Sequence, residues 1–364
     1  MLISQLQARD FRLFSALRLE AHPQFNFITG DNGVGKTSLL EAVHVLGRAA
    51  SWRVPAAQLA RDGTVAWRVT GQVEEEAGVP AQTVRITWQD RETGIDWGGQ
   101  PLGLSELVRK IPLQILDPGM HKLLEEGPGI RRRVLDWGVF HVEHSFLETW
   151  RRARRALRQR NVVLREGGNP RLLAPWNHEL AEAGELLTAK RLAHVAELEK
   201  RTRRLLEQLL PGEQWELRYS RGWDADRSYL EVLESSAERD RRLGLTAAGP
   251  QRAELGFYGG SADRGTTAVK GRISRGQQKL LIAAFTLAQC AIVAERSGGM
   301  PILLVDDFSA ELSAGFQGRL MQAVEAYPGQ KFITALEPLA LMKKVPSAHM
   351  FHVEHGALHK VERW

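Results

Sequence analysis

Residues 30–37 read Gly-Asp-Asn-Gly-Val-Gly-Lys-Thr, the full G-x-x-x-x-G-K-[ST] spacing of a phosphate-cradling loop. Its glycines let the backbone N–H groups of Gly30, Asp31, Asn32, Gly33, Val34 and Gly35 approach phosphate oxygens. A helix opening behind them favours negative charge. Lys36 would reach the β- and γ-phosphates of a nucleotide, and the Thr37 hydroxyl would hold Mg²⁺. A second group lies far along the chain, where Ile302-Leu303-Leu304-Val305 runs into Asp306 and Asp307. Four apolar residues predict a buried strand with carboxylates at its C-terminal end. Asp306 would hold the metal through water, and Asp307 could polarise an attacking water. A third stretch is Ser274-Arg275-Gly276-Gln277-Gln278. A small hydroxyl, a glycine N–H and a helix start suit a phosphate, and equally an ordinary Ser N-cap.

These groups need elements to hold them. Residues 1–29 alternate like a hairpin, with a last strand, Phe25 to Thr29, leading into Gly30. A helix is predicted from Lys36 to about Leu46. Residues 64–99 read as an antiparallel meander, and "IPLQILDP" as a further short strand. From His121 to Leu210 the pattern is helical. In "FLETWRRARRALRQRNVVLRE", Trp150, Ala153, Leu157 and Leu164 share one face, and Arg151, Arg154, Arg155, Arg158 and Arg165 share the opposite one. "GGNPRLLAP" predicts a break, with a second helix from about Trp176 to Leu210. Strand character returns in "WELRYSRGW". A long helix from Gln277 to Arg296, the Asp306 strand, "KFITAL" and "MFHVEHGALHKVE" follow. The fold class predicted is α/β, with one nucleotide-binding domain built from both ends of the chain and a helical segment inserted between them.

The net charge of +6 hints at a polyanionic partner. Residues 119–212 hold 18 Lys and Arg against 12 Asp and Glu, so the whole excess lies in the helical segment. A single cysteine, Cys290, excludes an intrachain disulfide and fits a reducing cytosol. The N-terminus lacks the features of a signal peptide. The apolar run over residues 280–294 suits a buried helix rather than a bilayer span, so no membrane partner is expected. "HVEH" occurs at 141–144 and 352–355, but no cysteines accompany it, and surface or core histidines are the expected reading.

Ser274 to Gln278 resembles the signature motif of ABC-type ATPases, in which the helix start caps a γ-phosphate held by the other subunit. The resemblance narrows to the RecF family of bacterial recombinational-repair ATPases and covers essentially the full length. "DFRLFSALRLE", with Phe11 and Arg12, resembles that family's Asn-Phe-Arg opening. "LLEAVHVLGRAASWR" is similar to its Ser-Phe-Arg helix, with Trp52 replacing Phe. Gly127, Pro128, Arg131, Arg132 and Asp136 resemble its Gly-x-Pro-x-x-Arg-Arg signature, with Gly127 directly before Pro128, and "GPQRAEL" resembles Gly-Pro-His-Arg-Asp-Asp. Departures are Gly119 after Pro118, Gln251 for His, Ala253 and Glu254 for an acidic pair, and Ser313 for the Asp that ends the loop crossing the dimer interface. Thr334 stands where many ABC ATPases have His.

The resemblance implies an ABC-type ATPase head formed by residues 1–118 and 213–364, with a helical arm domain at 119–212. It implies ATP and Mg²⁺ bound by residues 30–38 and Arg12, where Ser38 joins the loop, with Lys36, Asp307 and Ser274 as the catalytic set. Ser274, Gly276 and Gln277 would contact the nucleotide of the second protomer of an ATP-dependent homodimer. Duplex and gapped DNA would be a partner, with Arg151, Arg154, Arg155 and Arg158 as the contacting stripe. RecO, RecR and RecA would act in the same cytoplasmic pathway. Two other readings remain: the ATPase subunit of a transporter, against which the arm and basic stripe count, and an SMC-like DNA tether, which needs an arm of hundreds of residues.

Overall fold

The computed structural model describes residues 1–75, 79–167, 169–261, 265–338, 340, 342, 345 and 347–361. The chain folds as two compact units, residues 1–120 with 293–364, and residues 121–292.

The first unit opens with strands β1 (Leu2–Phe11), β2 (Phe14–Glu20) and β3 (Phe25–Thr29) and helix α1 (Lys36–Arg48). Strands β4 (Trp67–Glu74), β5 (Gln82–Gln89), β6 (Glu92–Trp97) and β7 (Gln100–Pro101) follow, then helix α2 (Leu104–Lys110) and strand β8 (Leu113–Leu116). The second unit holds helices α3 (Lys122–Glu125), α4 (Pro128–Val142), α5 (Phe146–Arg165) and α6 (Pro170–Leu209). Strand β9 (Gln214–Ser220), helices α7 (Tyr229–Ser235) and α8 (Ala237–Leu243), and strands β10 (Glu254–Ser261) and β11 (Gly265–Ala268) continue it. Helix α9 (Arg275–Ser297) begins in the second unit, and its last residues belong to the first. The chain closes with β12 (Ile302–Val305), α10 (Ala314–Ala326), β13 (Lys331–Ala335), β14 (His349–Glu354) and β15 (Ala357–Val361).

Among the described residues, the first unit has two six-stranded sheets. One is antiparallel, in the order β2-β1-β4-β5-β6-β7. The other runs β15-β14-β3-β13-β12-β8 and is parallel except at the β15 edge. Every residue of β3, β12 and β13 is buried, as expected of parallel strands covered on both faces. Helix α1 lies between the sheets. Its Leu39, Leu40, Val43 and Leu46 share one core with Ile3, Leu6, Val69 and Ile86 of the antiparallel sheet and with Ile28, Ile302, Leu304 and Phe332 of the parallel one. That burial, more than helix propensity, stabilises α1.

The second unit holds the helices of residues 121–209 together with residues 213–292. Residues 213–292 fold with it because β9, β10 and β11 form their own three-stranded sheet. Ion pairs and carbonyl contacts tie that region to the helices. Arg131 of α4 makes a bidentate pair with Glu254 (2.7 and 2.9 Å), Arg132 donates to the Ala253 carbonyl (2.7 Å), and Arg191 of α6 donates to the Pro250 carbonyl (2.9 Å). Helix α6 starts at Pro170 rather than near Trp176. Asn169 caps it by accepting from the Arg171 N–H, and proline is tolerated in a first turn. Helix α9 is long and apolar enough to cross a membrane by composition, yet 78% of its apolar window is buried in the fold.

Candidate functional site

The order β3-β13-β12 brings three distant stretches to one edge of the parallel sheet. The glycine loop follows the C-terminal end of β3, Asp306 and Asp307 follow β12, and Thr334 sits on β13 between them. Ligands of open α/β sheets bind outside the carboxyl ends of the strands, which is where this cavity of about 450 Å³ lies. Asn32, Gly33, Gly35, Lys36, Thr37 and Ser38 line it together with Arg12, Asp306, Asp307 and Thr334.

The loop needs its glycines for two reasons. Gly30 has φ 144°, and a Cβ there would lie 2.4 Å from the Val353 carbonyl oxygen. Gly35 has φ 119°, and its Cβ would press within 3.1 Å of the Phe14 ring. Lys36 Nζ donates to the carbonyls of Gly30 (2.5 Å) and Asp31 (2.7 Å). Burial lowers the Lys36 pKa from the ordinary lysine value, while the charges of Asp307, Asp306 and Asp31 act the other way.

Asp306 is the hub. Thr37 Oγ1 lies 3.1 Å from both of its carboxylate oxygens, and Thr334 Oγ1 donates to Oδ1 at 2.8 Å. Burial raises the Asp306 pKa. The two threonine hydrogen bonds oppose that rise, Asp307 adds to it, and Arg53 opposes it. Asp307 has φ 50°, a backbone conformation uncommon outside glycine, and its N–H donates to Thr334 Oγ1 (2.8 Å). The Phe308 N–H donates to the Thr334 carbonyl (2.9 Å), so both backbone and side chain of Thr334 pin the turn after β12.

A hydroxyl and a carboxylate in contact offer hard oxygen donors of the kind that suit Mg²⁺. The loop, Lys36 and Arg12 offer the positive and N–H-rich wall that a polyphosphate needs. Among the described residues no group of three or more His, Cys, Asp and Glu is gathered as a metal site would be, so any metal here would rest on the Thr37 hydroxyl and Asp306.

Arg12 sits at the cavity with φ 54°, and its Nε donates to Glu41 at 2.9 Å. Glu41 is fully buried on α1 and also accepts from Ser51 (2.6 Å), with Arg53 3.5 Å away. Glu41 and Arg53, together with Gln58 and Asp62 in the cavity wall, are site residues that sequence reasoning misses. Arg53 directly follows the Trp52 of the "LLEAVHVLGRAASWR" stretch, a signal that could have found it; the signal for Glu41 is an acid on the apolar face of α1.

The remaining predicted residues lie in the second unit. Ser274 Oγ accepts from the Gln277 N–H (3.2 Å), and Gln277 Oε1 accepts from the Ser274 N–H (2.9 Å). This reciprocal pair caps α9. Gly276 is buried, and Arg275 pairs with Glu125 (3.0 Å). On α5, Arg151, Arg154, Arg155 and Arg158 are all exposed on one face. Among the described residues Arg151, Arg155 and Arg158 form no ion pair, while Arg154 lies 4.9 Å over the Trp150 ring.

The RecF/RecN/SMC N terminal domain family matches residues 2–359. The DNA replication and repair protein RecF of Chromohalobacter salexigens is 40% identical over 98% of this chain and 99% of its own length. A solved structure of the recombination mediator protein RecF with ATP, in the RecFOR pathway, superposes with a TM-score of 0.84 at 21% identity, covering 99% of this chain and 97% of that one. An Smc head bound to the C-winged helix domain of ScpA superposes with a TM-score of 0.64 at 14% identity, over 99% of this chain and 97% of that one. The α/β fold is therefore that of the RecF and Smc heads. The chain belongs to the RecF family of DNA replication and repair proteins.

Proposed function

We propose that this chain is an ATP-dependent DNA-binding protein of recombinational repair, with ATP hydrolysis acting as a slow switch. The observation that carries the reading is the meeting of Lys36, Thr37, Asp306 and Asp307 at one cavity, from stretches remote in sequence. Lys36 already donates to two loop carbonyls, and a triphosphate would offer it stronger, charged acceptors. Thr37 and Asp306 would hold Mg²⁺, which would neutralise phosphate charge there. Arg12 and Ser38 complete the wall. Asp307, beside Asp306 in the cavity, would orient and polarise water. Arg12 is itself braced by buried Glu41, so its guanidinium is fixed before ligand arrives.

The catalytic set proposed is Lys36, Asp307 and Ser274. Ser274, Gly276 and Gln277 begin a 23-residue helix whose N-terminus suits a phosphate. They would close the nucleotide of a second protomer, so that ATP drives homodimerisation. The unpaired arginines of α5 would contact duplex DNA, and the family resemblance supports action at gap junctions, where RecO and RecR help load RecA. The lone buried Cys290 supports a cytoplasmic setting. The domain reading proposed is an ATPase head of residues 1–118 and 213–364 carrying the helical arm 119–212. Helix α6 has 40 residues, or about 60 Å, far short of a tether.

Sedimentation velocity with and without ATP and Mg²⁺ tests the switch. The dimer should form with ATP only. Acceleration of hydrolysis by duplex DNA separates this reading from a transporter subunit, which should be indifferent to DNA.

A further inference from the structure

In the second unit, α4, α5, α6 and the turn at Pro250 enclose a cavity of about 340 Å³, at the lower end of the range for ligand pockets of about 300–1,000 Å³. None of its lining residues lines the nucleotide cavity, and Ser274 is not among them. Its floor is aliphatic, with Leu180 and Leu187 almost fully buried and Leu157 half-buried. Its polar lining is unbalanced in charge. Four arginines and one aspartate contribute, and Asp136 is consumed by Arg191 in a bidentate pair at 2.7 and 2.8 Å. Among the described residues Arg132, Arg133 and Arg154 form no ion pair, and Arg132 has one Nη committed to the Ala253 carbonyl at 2.7 Å. Burial, then the nearby charge of Arg191, lower the Arg132 pKa from the ordinary arginine value, while the charges of Glu254 and Asp136 act the other way without cancelling the shift.

We infer that this pocket docks an acidic, apolar segment of a partner protein, with its apolar side chains on the leucine floor and its carboxylates on the three arginines. Arginines at the mouth of a leucine-lined pocket recognise carboxylates through paired N–H donors, and the floor supplies non-directional burial. Nucleic acid fits less well. A base needs an open aromatic face or polar partners for its edge, and the face of Trp150 is already covered by Arg154 at 4.9 Å.

Two substitutions probe the pocket without disturbing the core. Arg133 is exposed, so Arg133→Glu reverses one charge at the mouth. Gly129 lines the cavity in the first turn of α4, and a Cβ there meets nothing closer than Arg132 Nη2 at 3.8 Å. Gly129→Phe therefore blocks the mouth and keeps a helix-compatible backbone. A random heptapeptide library is panned against the full-length chain, and the enriched peptides are synthesised with fluorescein for anisotropy titration. Peptides combining Asp or Glu with Leu or Phe should emerge, and each variant should weaken them by at least about tenfold. Circular dichroism should show both variants folded as the parent. The inference is overturned if no such peptide is enriched, or if binding is unchanged in both variants. It is also overturned if Gly129→Phe instead abolishes binding of fluorescein-labelled oligo-dT, which would make the pocket a nucleic-acid site.

Discussion

At the scale of residues, Thr334 uses one hydroxyl to serve both carboxylate-bearing residues of the site. It donates to Asp306 and accepts from the Asp307 N–H, so it aligns both carboxylate-bearing residues at the end of β12. Thr334→Val keeps the shape and removes the hydrogen bonds. Hydrolysis should fall by roughly tenfold, the equivalent of about one hydrogen bond, with ATP affinity nearly unchanged. Thr334→Ser should restore the rate, and a Val variant at the parental rate would rule out the positioning role. The Lys36 loop and the Asp306 pair were legible because their chemistry is written in contiguous residues. The weight on Thr334 was not, since it depends on β13 lying between β3 and β12, which only the sheet order reveals. Lys331, at the start of β13, was equally silent. It is buried, lies 4.1 Å over the Phe25 ring, and has its pKa lowered by burial to about 8. The folded form therefore loses its proton before the unfolded form does. Its charged state costs stability below about pH 8, and that cost disappears as pH rises toward the unfolded value of 10.5. Urea midpoints of the parent should rise relative to those of Lys331→Met across that interval, and parallel pH profiles would contradict it.

At the scale of elements, α5 shows what helical periodicity discloses and what it hides. The spacing of Ala153, Leu157 and Leu164 placed the apolar face correctly, and the exposed arginines lie opposite it. The same periodicity puts Arg160 inside, four residues from both Ala156 and Leu164, but its charge makes it look like one more member of the basic face. It is fully buried and bonded to Asn177 (2.7 Å), Asp240 (2.8 Å), Thr246 (2.8 Å) and the Leu233 carbonyl (3.1 Å). One guanidinium thus joins α5 to α6, to the end of α7 and to α8 with the loop after it. Removing it leaves Asp240 buried without its cation. Arg160→Ala should destabilise the fold by about 3–5 kcal/mol in urea denaturation. Asp240→Ala should behave alike, and the double variant should cost less than the two added together. A loss under about 1 kcal/mol for Arg160→Ala would show that the network relaxes around water. The extent of the second unit was also hidden. Strands β9 to β11 read simply as strands, and nothing local to them says which sheet they join.

At the scale of the whole molecule, the question is whether the second helix start, at Ser274, serves a phosphate as proposed or only caps its own helix. Helix α1 opens from the glycine loop, and α9 opens at Ser274 under a reciprocal cap with Gln277. Capping alone accounts for the second, and losing a Ser cap costs about 1 kcal/mol. A site shared between protomers asks more of Ser274 than that. Ser274→Arg leaves the loop at 30–37 untouched, so ATP should still bind the monomer with near-parental affinity by calorimetry. On the proposed composite site, sedimentation with ATP should nevertheless show no dimer, because a bulky cation would replace a small hydroxyl at the proposed junction of two chains, and hydrolysis should fall with it. Ser274→Ala is the control for capping. It loses the same cap without adding bulk, so a stability loss common to both variants cannot explain a dimer defect confined to Ser274→Arg. Lys36→Met should fail earlier, at ATP binding itself. Mixing it with Ser274→Arg gives a heterodimer with one site intact on both sides and one damaged on both, and recovered hydrolysis would place the two residues in one composite site. A Ser274→Arg protein that dimerises with ATP and hydrolyses it at the parental rate would leave Ser274 as a helix cap and nothing more.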